Sequence, residues 1–163
     1  MSVDTQTLNE AAVSHYLKKH LDGFEGPMDV TKFQTGQSNP TFMLKTPSHN
    51  YVLRRKPPGV LLKSAHAVDR EFRVQKALAG TDMPVSKMHL LCEDDSIIGS
   101  MFYIMDMVEG RTIWDGSMPD SNPAERRATY EAMIDTLAAL HNVDVEGAGL
   151  SDFGKPGNYF GRQ

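Results

Sequence analysis

The sequence is poor in cysteine and has no long apolar run. Its one cysteine, Cys92, can form neither an internal disulfide nor a cysteine-ligated zinc site, which fits a reducing compartment. The amino-terminal stretch MSVDTQTLNEAA is polar, and no apolar run approaches the roughly 20 residues that a membrane-spanning helix needs. These absences predict a cytoplasmic protein that has no membrane as a partner.

The chain also lacks a strong excess of charge of either sign. Its 17 basic and 21 acidic residues give a net charge of −4 and an isoelectric point near 5.8, so no strong attraction to nucleic acid is expected. The basic clusters at residues 54–56 and 126–127 are too small for a nucleic-acid footprint. The six histidines show no metal-ligand spacing with acidic residues or cysteine. We therefore predict no nucleic-acid partner and no metal site.

What is present is a regular alternation of strand and helix patterns over 163 residues, enough for a buried core. Alternating apolar residues predict strands at residues 30–33, 41–45, 51–56, 89–92 and 101–108. Helical spacing predicts helices at residues 8–21, 65–79 and 122–141, and a capping box of Thr7 and Glu10 opens the first. The last helix is expected to bury the stripe of Tyr130, Met133, Ile134, Leu137 and Leu140.

This order of elements is typical of the small lobe of a protein-kinase-like fold. We expect an α+β fold, in which a five-stranded antiparallel sheet with one packed helix precedes the first helix of a helical lobe. The expected division is an N-terminal helix at residues 1–24, a nucleotide-binding lobe at residues 25–108, and a hinge with the beginning of the helical substrate lobe at residues 109–163.

The stretch FQTGQSNPTFMLK, at residues 33–45, has two interpretations. Gly36 supplies a positive φ, and Asn39 and Pro40 favour turns, which is all that a hairpin corner requires. In a kinase-like lobe, a glycine-containing turn at this place covers the nucleotide phosphates. Taken alone, the composition favours the hairpin corner.

The third strand carries a candidate phosphate-binding cation. Alternation along YVLRRK puts Val52 and Arg54 on one face, so that Val52 would pack on a base while Arg54 meets phosphate; the alternative is a solvated strand end. Glu71 lies on the inward side of the next helix, where an unpaired carboxylate is costly. We expect Arg54 and Glu71 within salt-bridge reach; a surface pair of Glu71 with Arg70 or Lys76 is the alternative.

The last strand leads into a candidate hinge. In MFYIMDMVEGRTI an apolar strand reaches Asp106, and Glu109-Gly110 then releases the chain. Backbone groups of Asp106 and Val108 would hydrogen-bond an adenine edge, with Met105 and Met107 packing around it. Methionine-rich strands are also common in ordinary cores, which is the alternative.

Six segments together resemble the aminoglycoside phosphotransferase (APH) family, namely GQSNPTF, YVLRRKPPG, DREFRVQKAL, FYIMDMVEGRTIW, LAALHNVD and DFGKPGNYFGRQ. Within that family they are similar to kinase-like domains found beside or fused to acyl-CoA dehydrogenases, and the similarity runs from about Val30 to Gln163. The resemblance implies that Arg54 stands where kinases keep a strand lysine, with Glu71 as its helix partner. It also implies a phosphate-covering turn, formed by Gly36, Gln37, Ser38 and Asn39. A hinge is implied as well, formed by Asp106, Met107 and Val108.

By this resemblance, the complete enzyme transfers the γ-phosphate of ATP or GTP to a hydroxyl group of a small acceptor molecule. The family takes its orienting aspartate from a His-Gly-Asp loop with a following asparagine, and neither this motif nor the later metal-binding aspartate occurs here. Mg²⁺ is therefore expected only together with a catalytic lobe, and the chain alone is expected to be inactive. The alternative is a non-catalytic nucleotide-binding or interaction module that self-associates through its exposed long helix.

The tripeptide Asp152-Phe153-Gly154 spells the magnesium-binding signature of protein kinases. That signature requires an upstream catalytic loop with an asparagine ligand, and no suitable asparagine lies between Asp144 and Asp152. We interpret this tail as a glycine-rich connector, and His141 as a packing or capping residue at the end of a helix.

Overall fold

The computed structural model describes residues 7–34, 39–57, 66–155, 157–158 and 160–162. It forms two compact units, Met1–Lys76 with Ser86–Val108, and Ala77–Val85 with Glu109–Gln163. The elements, in chain order, are α1 (Glu10–His20), β1 (Asp29–Lys32), β2 (Thr41–Lys45), β3 (Asn50–Arg55), α2 (Val68–Leu78), β4 (Met88–Cys92), β5 (Phe102–Asp106) and α3 (Pro123–His141), followed by a short 3₁₀ helix at Phe160–Arg162.

The five strands form one sheet in the order β1-β2-β3-β5-β4, and every neighbouring pair is antiparallel. This confirms the predicted α+β fold class. β3 lies in the middle of the sheet and pairs with both β2 and β5, so the residues of β3 are covered on both edges. The central strand is therefore a rigid place from which to present a side chain.

Alternation along the strands divides the core of the first unit into two layers. One face of the sheet packs with α1 in a cluster that includes Leu17, Leu44 and Leu53. The opposite face packs with α2 through Val68, Phe72, Met88 and Tyr103, which confirms the prediction that this helix lies on the sheet. Neighbouring residues of β3 consequently face different layers.

The beginning of α1 differs from the predicted capping box of Thr7 and Glu10. The N-cap is Asn9, whose side-chain oxygen accepts a hydrogen bond from the backbone N–H of Ala12 over 3.1 Å. Asparagine is as good an N-cap as threonine, and a local pattern does not decide between two neighbouring candidates.

The second unit contains α3, which begins as predicted. Asn122 is the N-cap, accepting from the Glu125 backbone N–H over 2.9 Å, and Pro123 opens the helix. The five residues of its apolar stripe are each 42–60% exposed, which contradicts the expected buried stripe and agrees with the exposed long helix expected of the interaction module: Tyr130, Met133, Ile134, Leu137 and Leu140. Helical periodicity shows that one side is apolar, but it does not show that another element covers that side.

His141 is the last residue of α3 and is exposed, so it is not a packing residue. The cap is Asn142, whose side-chain Nδ2 donates to the carbonyl of Ala138 over 2.9 Å. Within the described residues, every helix is either too short or too polar to cross a membrane.

Candidate nucleotide site

The centre of the candidate site is an ion pair between β3 and α2. Nε of Arg54 donates to Oε2 of Glu71 over 2.7 Å, and Nη2 of Arg54 reaches Oε1 at 3.4 Å. The two side chains are 27% and 33% exposed, so the pair lies at the border of the packed interior, where solvent screens it less than it screens a surface pair. The predicted salt bridge is confirmed.

Strand alternation explains why Arg54, and not its neighbour Arg55, contacts Glu71. Arg54 pairs across the sheet with Thr41 and Tyr103, on the face that α2 covers. Val52 shares that face, as strand alternation predicted, and is 4% exposed. The contact of Val52 with a base stays a prediction.

Arg55 faces the other layer, and the interpretation of the basic run as a solvated strand end is wrong for it. Arg55 is 2% exposed, and its Nε and Nη2 have no hydrogen-bond partner among the residues that the structure describes. Burial lowers the pKa of the Arg55 guanidinium. Burying a cation with incomplete hydrogen bonding is unfavourable, so Arg55 lowers the stability of the fold.

The Glu71 carboxylate accepts four hydrogen bonds from side chains in the part of the chain that the structure describes. Besides the two from Arg54, Oε1 accepts from Nδ2 of Asn39 over 2.9 Å, and Oε2 accepts from the Tyr103 hydroxyl over 3.1 Å. Each oxygen thus has two donors, which satisfies an ionised carboxylate without water. Glu71, more than Arg54, is the residue on which the local geometry depends.

Tyr103 is a site residue that sequence reasoning missed. It lies on β5, is 1% exposed, and receives a hydrogen bond of 3.5 Å from Nε2 of Gln75. Burial raises the pKa of Tyr103 to about 12, and the neighbouring Glu71 carboxylate raises it in the same direction. Its hydroxyl is therefore a dependable donor to Glu71. In the segment FYIMD, Tyr103 looks like any aromatic residue of a core. Only the pairing of β3 with β5, which puts Tyr103 beside Arg54, reveals its contact with Glu71.

Asn39 is the one residue of the predicted phosphate-covering turn that the structure describes; Gly36, Gln37 and Ser38 lie outside the described residues. Asn39 is 2% exposed, and its side chain lies between Glu71 and His66, whose Nδ1 is 2.8 Å from Oδ1 of Asn39. Because Nδ2 of Asn39 donates to Glu71, Oδ1 is the acceptor and His66 Nδ1 carries the proton of that bond. The side chain thus supports the ion pair, and the role of the turn toward phosphate stays a prediction.

The carbonyl of Asn39 adds a second link to β3. Nη1 of Arg54 donates to Oγ1 of Thr41 over 3.0 Å and approaches the Asn39 carbonyl at 3.4 Å, while the Thr41 hydroxyl donates to the same carbonyl over 3.0 Å. The guanidinium is therefore held along both of its sides, by α2 and by the start of β2.

Of the predicted hinge residues, Asp106 is the last residue of β5, and Met107 and Val108 follow it. The backbone N–H of Asp106 donates to the Lys87 carbonyl over 2.9 Å, and that of Met107 donates to the Asn50 carbonyl over 3.0 Å. These two N–H groups are already hydrogen-bonded within the first unit and are not free to bind adenine. Adenine recognition would therefore use the carbonyl groups of the hinge or the backbone of Val108, a residue that is 64% exposed. The involvement of all three residues in nucleotide binding stays a prediction.

The Asp106 side chain makes contacts that the sequence analysis did not foresee. Its carboxylate lies against His89 and His49. Burial by itself would raise the pKa of Asp106, but the hydrogen bonds from His89 and His49 outweigh burial, and the net pKa is below its ordinary value.

The segment before Asp152-Phe153-Gly154 supports a structural interpretation of Asp144. Oδ1 of Asp144 accepts hydrogen bonds from the backbone N–H groups of Glu146 and Gly147, at 3.1 and 3.0 Å, which is the geometry of a side-chain-stabilised turn. Asp152 is exposed in the following turn. Nothing in this arrangement makes Asp144 a catalytic base.

Comparison with known proteins now identifies the family. The model of the Phosphotransferase enzyme family, APH, matches residues 29–163. The chain belongs to this family. A solved structure from Ralstonia eutropha, described as a "putative aminoglycoside phosphotransferase", superposes with a TM-score of 0.83 at 51% identity, over 96% of this chain and 45% of that chain.

The curated relatives are much longer proteins than this chain. Acyl-CoA dehydrogenase family member 11 of Rattus norvegicus is 49% identical over 152 residues, which cover 91% of this chain and 20% of that protein. Acyl-CoA dehydrogenase family member 10 of Mus musculus is 44% identical over 160 residues, covering 98% of this chain and 15% of that protein. The chain thus spans a fifth or less of these relatives, and the predicted kinship with the APH family is confirmed.

Proposed function

We propose that this chain is the nucleotide-binding part of a kinase that transfers the γ-phosphate of ATP, or of GTP, to a hydroxyl group of a small molecule. The observation that carries the proposal is the Arg54–Glu71 pair, which joins the central strand to the packed helix at 2.7 Å. In kinases, a strand cation fixed by a helix carboxylate positions the nucleotide phosphates. Membership of a phosphotransferase family supports the same interpretation.

The described residues fit a nucleotide better than they fit Mg²⁺. A guanidinium has five N–H groups, and Glu71, Thr41 and the Asn39 carbonyl together engage four of those of Arg54. One N–H of Nη2 is left to meet a phosphate oxygen, so Arg54 would contribute mainly positive charge and a single hydrogen bond. The Glu71 carboxylate already has four donors and is unsuited to a metal ion, which must come with carboxylates from elsewhere.

The names of the relatives support a proposal about the class of acceptor. Two of them are named acyl-CoA dehydrogenases, and a kinase domain joined to such an enzyme would act on a hydroxyacyl compound more readily than on an antibiotic. Because the His-Gly-Asp motif is absent from the 163 residues, we propose that the chain alone binds nucleotide weakly, without dependence on Mg²⁺, and does not transfer phosphate.

Calorimetry with ATP, with and without Mg²⁺, tests this proposal on the 163-residue chain. We expect weak binding that Mg²⁺ leaves unchanged, and a loss of at least about tenfold in affinity in Arg54→Met, since a charge-assisted contact is worth about 1.5–3 kcal/mol. Arg127→Met is the matched control, because Arg127 is 80% exposed and pairs with Glu131 on α3. Tight Mg²⁺-dependent binding, or measurable transfer, would show that the active site lies elsewhere, with Asp152 as the first residue to test.

A second candidate is a non-catalytic nucleotide-binding or interaction module. The exposed apolar side of α3 favours it, because Met133, Ile134 and Leu137 are each more than half exposed. In this alternative, the α3 surface mediates self-association. If the chain did not bind ATP at all and self-associated at low concentration, the result would favour the interaction module over the kinase.

A further inference from the structure

Three side chains that commonly bind metals meet at the end of the sheet where β5 finishes. His49 of the β2–β3 turn, His89 of β4 and Asp106 of β5 each present one ligand atom, and these atoms lie within 4.8 Å of one another. Nε2 of His49 is 2.8 Å, and Nε2 of His89 is 2.5 Å, from the same oxygen, Oδ1 of Asp106. Two imidazoles and one carboxylate are a donor set that zinc and similar ions prefer.

An irregularity in β4 places His89 in this cluster. Met88 pairs with Met105 and Leu90 pairs with Ile104, so two steps along β4 match one step along β5. His89 is the extra residue of this bulge, and bulges commonly re-aim a side chain next to a functional site. The bulge is an observation independent of the side-chain distances, and it accounts for the contact of His89 with Asp106.

Tyr51 packs against both imidazoles. Its ring is 5% exposed, and its centroid lies 4.5 Å from that of His49 and 5.3 Å from that of His89. Packing of this kind restricts the imidazole orientations before any ligand binds, so an ion would find the donors already arranged.

The cluster is accessible from one side. His89 is 14% exposed and Asp106 25%, whereas His49 is 44% exposed. An ion can therefore reach the three donors past His49 and keep a water molecule as a further ligand.

We propose that His49, His89 and Asp106 form a binding site for one divalent transition metal ion, with Zn²⁺ as the best match. In the metal-free cluster, Nε2 of each imidazole donates to Asp106, so metal binding displaces that proton: each imidazole then coordinates through Nε2 and carries its remaining proton on Nδ1. The Asp106 carboxylate supplies the third ligand, and water supplies the fourth. Donors of a tetrahedral zinc site lie about 3.3 Å apart, so the two nitrogens, now at 2.8 and 2.5 Å from Oδ1, move by less than about 1 Å. Mg²⁺ prefers oxygen ligands, so this site is separate from the metal requirement of phosphoryl transfer.

The three ligands are far apart along the chain, so the spacing of the histidines did not predict a metal site. His49 and His89 are 57 and 17 residues away from Asp106, and only the sheet topology brings them together. In addition, Asp106 lies on the Tyr51 face of the sheet, opposite to the face that carries Arg54.

The test uses the untagged 163-residue chain, freed of metal by a chelator. Zn²⁺ is titrated by calorimetry, and Co²⁺ by visible absorption, which reports the coordination geometry. We expect one ion per chain, a cobalt spectrum typical of four or five ligands, and affinities at least about tenfold lower in both His89→Gln and Asp106→Asn. His141→Gln, which removes an exposed histidine of α3, is the matched control and should leave binding unchanged.

Thermal unfolding followed by circular dichroism shows whether each variant is folded. Should His89→Gln unfold, His49→Gln replaces it, because His49 is the most exposed of the three and its loss disturbs the core least. Zn²⁺ should also raise the unfolding midpoint of the wild-type chain and not that of the variants. Binding that persists in His49→Gln and Asp106→Asn, or no binding to the wild-type chain, would overturn the proposal and leave a hydrogen-bonded cluster.

Discussion

Arg54 and Glu71 are joined by two hydrogen bonds, but they do not depend on each other equally. Glu71 also accepts from Asn39 and from Tyr103, so this residue of α2 connects β3, β5 and the segment just before β2. Arg54, in contrast, keeps Thr41 as a partner when Glu71 is lost. The carboxylate is therefore the more important member of the pair for the fold, and the guanidinium is the member that we propose acts on the nucleotide.

The first prediction follows from this inequality. Glu71→Met removes the partner of three side chains at once and should lower the free energy of unfolding by about 2–4 kcal/mol. Arg54→Met leaves Glu71 with two donors and should cost about 1–2 kcal/mol. Urea unfolding measures both values, and the double variant measures their coupling. If Arg54→Met proved the more damaging change, Glu71 would not be the centre of the network.

The second prediction concerns Asn39, whose amide donates to one carboxylate and accepts from His66. Asn39→Asp replaces the donor by a second negative charge beside Glu71, which should lower stability by about 1–3 kcal/mol. Asn122→Asp is the same chemical change at the N-cap of α3, where aspartate is equally favourable, and should be close to neutral. Comparable losses in the two variants would show that the Asn39 contact contributes nothing specific.

The third prediction concerns pH. Burial raises the pKa of Tyr103 from 10.0 to about 12, so the protonated hydroxyl stabilises the folded chain. That contribution is complete below pH 10 and is lost as the pH rises through about 12, at up to about 1.4 kcal/mol per pH unit. Tyr103→Phe should therefore flatten the fall of stability between these values, relative to the unsubstituted chain. An equal slope in the variant and in the unsubstituted chain would contradict the buried, hydrogen-bonded hydroxyl.

Much of this fold was predictable because it depends on local periodicity. Alternation located all five strands and separated Arg54 from Arg55, and the inward side of α2 identified Glu71 as the partner. Tyr103, His66 and the His49–His89–Asp106 cluster were not predictable, since each needs the register of strands that are distant along the chain. A bulge such as that at His89 leaves no trace in composition.

The fourth prediction concerns Arg55, which is 2% exposed and lacks partners for Nε and Nη2 among the described residues. Arg55→Met keeps the volume and removes a buried charge, and should raise the free energy of unfolding by about 1–2 kcal/mol. Arg54→Met, the same change one position earlier, should lower it. A loss of stability in Arg55→Met comparable to that in Arg54→Met would mean that Arg55 has a partner beyond the described residues.

The last prediction concerns the exposed side of α3. Ile134 is 60% exposed, with Met133 and Leu137 beside it, so two chains that join through this surface would remove these side chains from water. Burial of one isoleucine contributes about 1.5–3 kcal/mol, and Ile134→Lys should therefore raise the dissociation constant for self-association by about tenfold or more. Sedimentation velocity over a range of concentrations measures it, with Ala132→Lys on the opposite, exposed side of α3 as the control. A wild-type chain that stays monomeric at the highest concentration would show that this surface does not bind a second copy, and the interaction-module alternative would lose its main support.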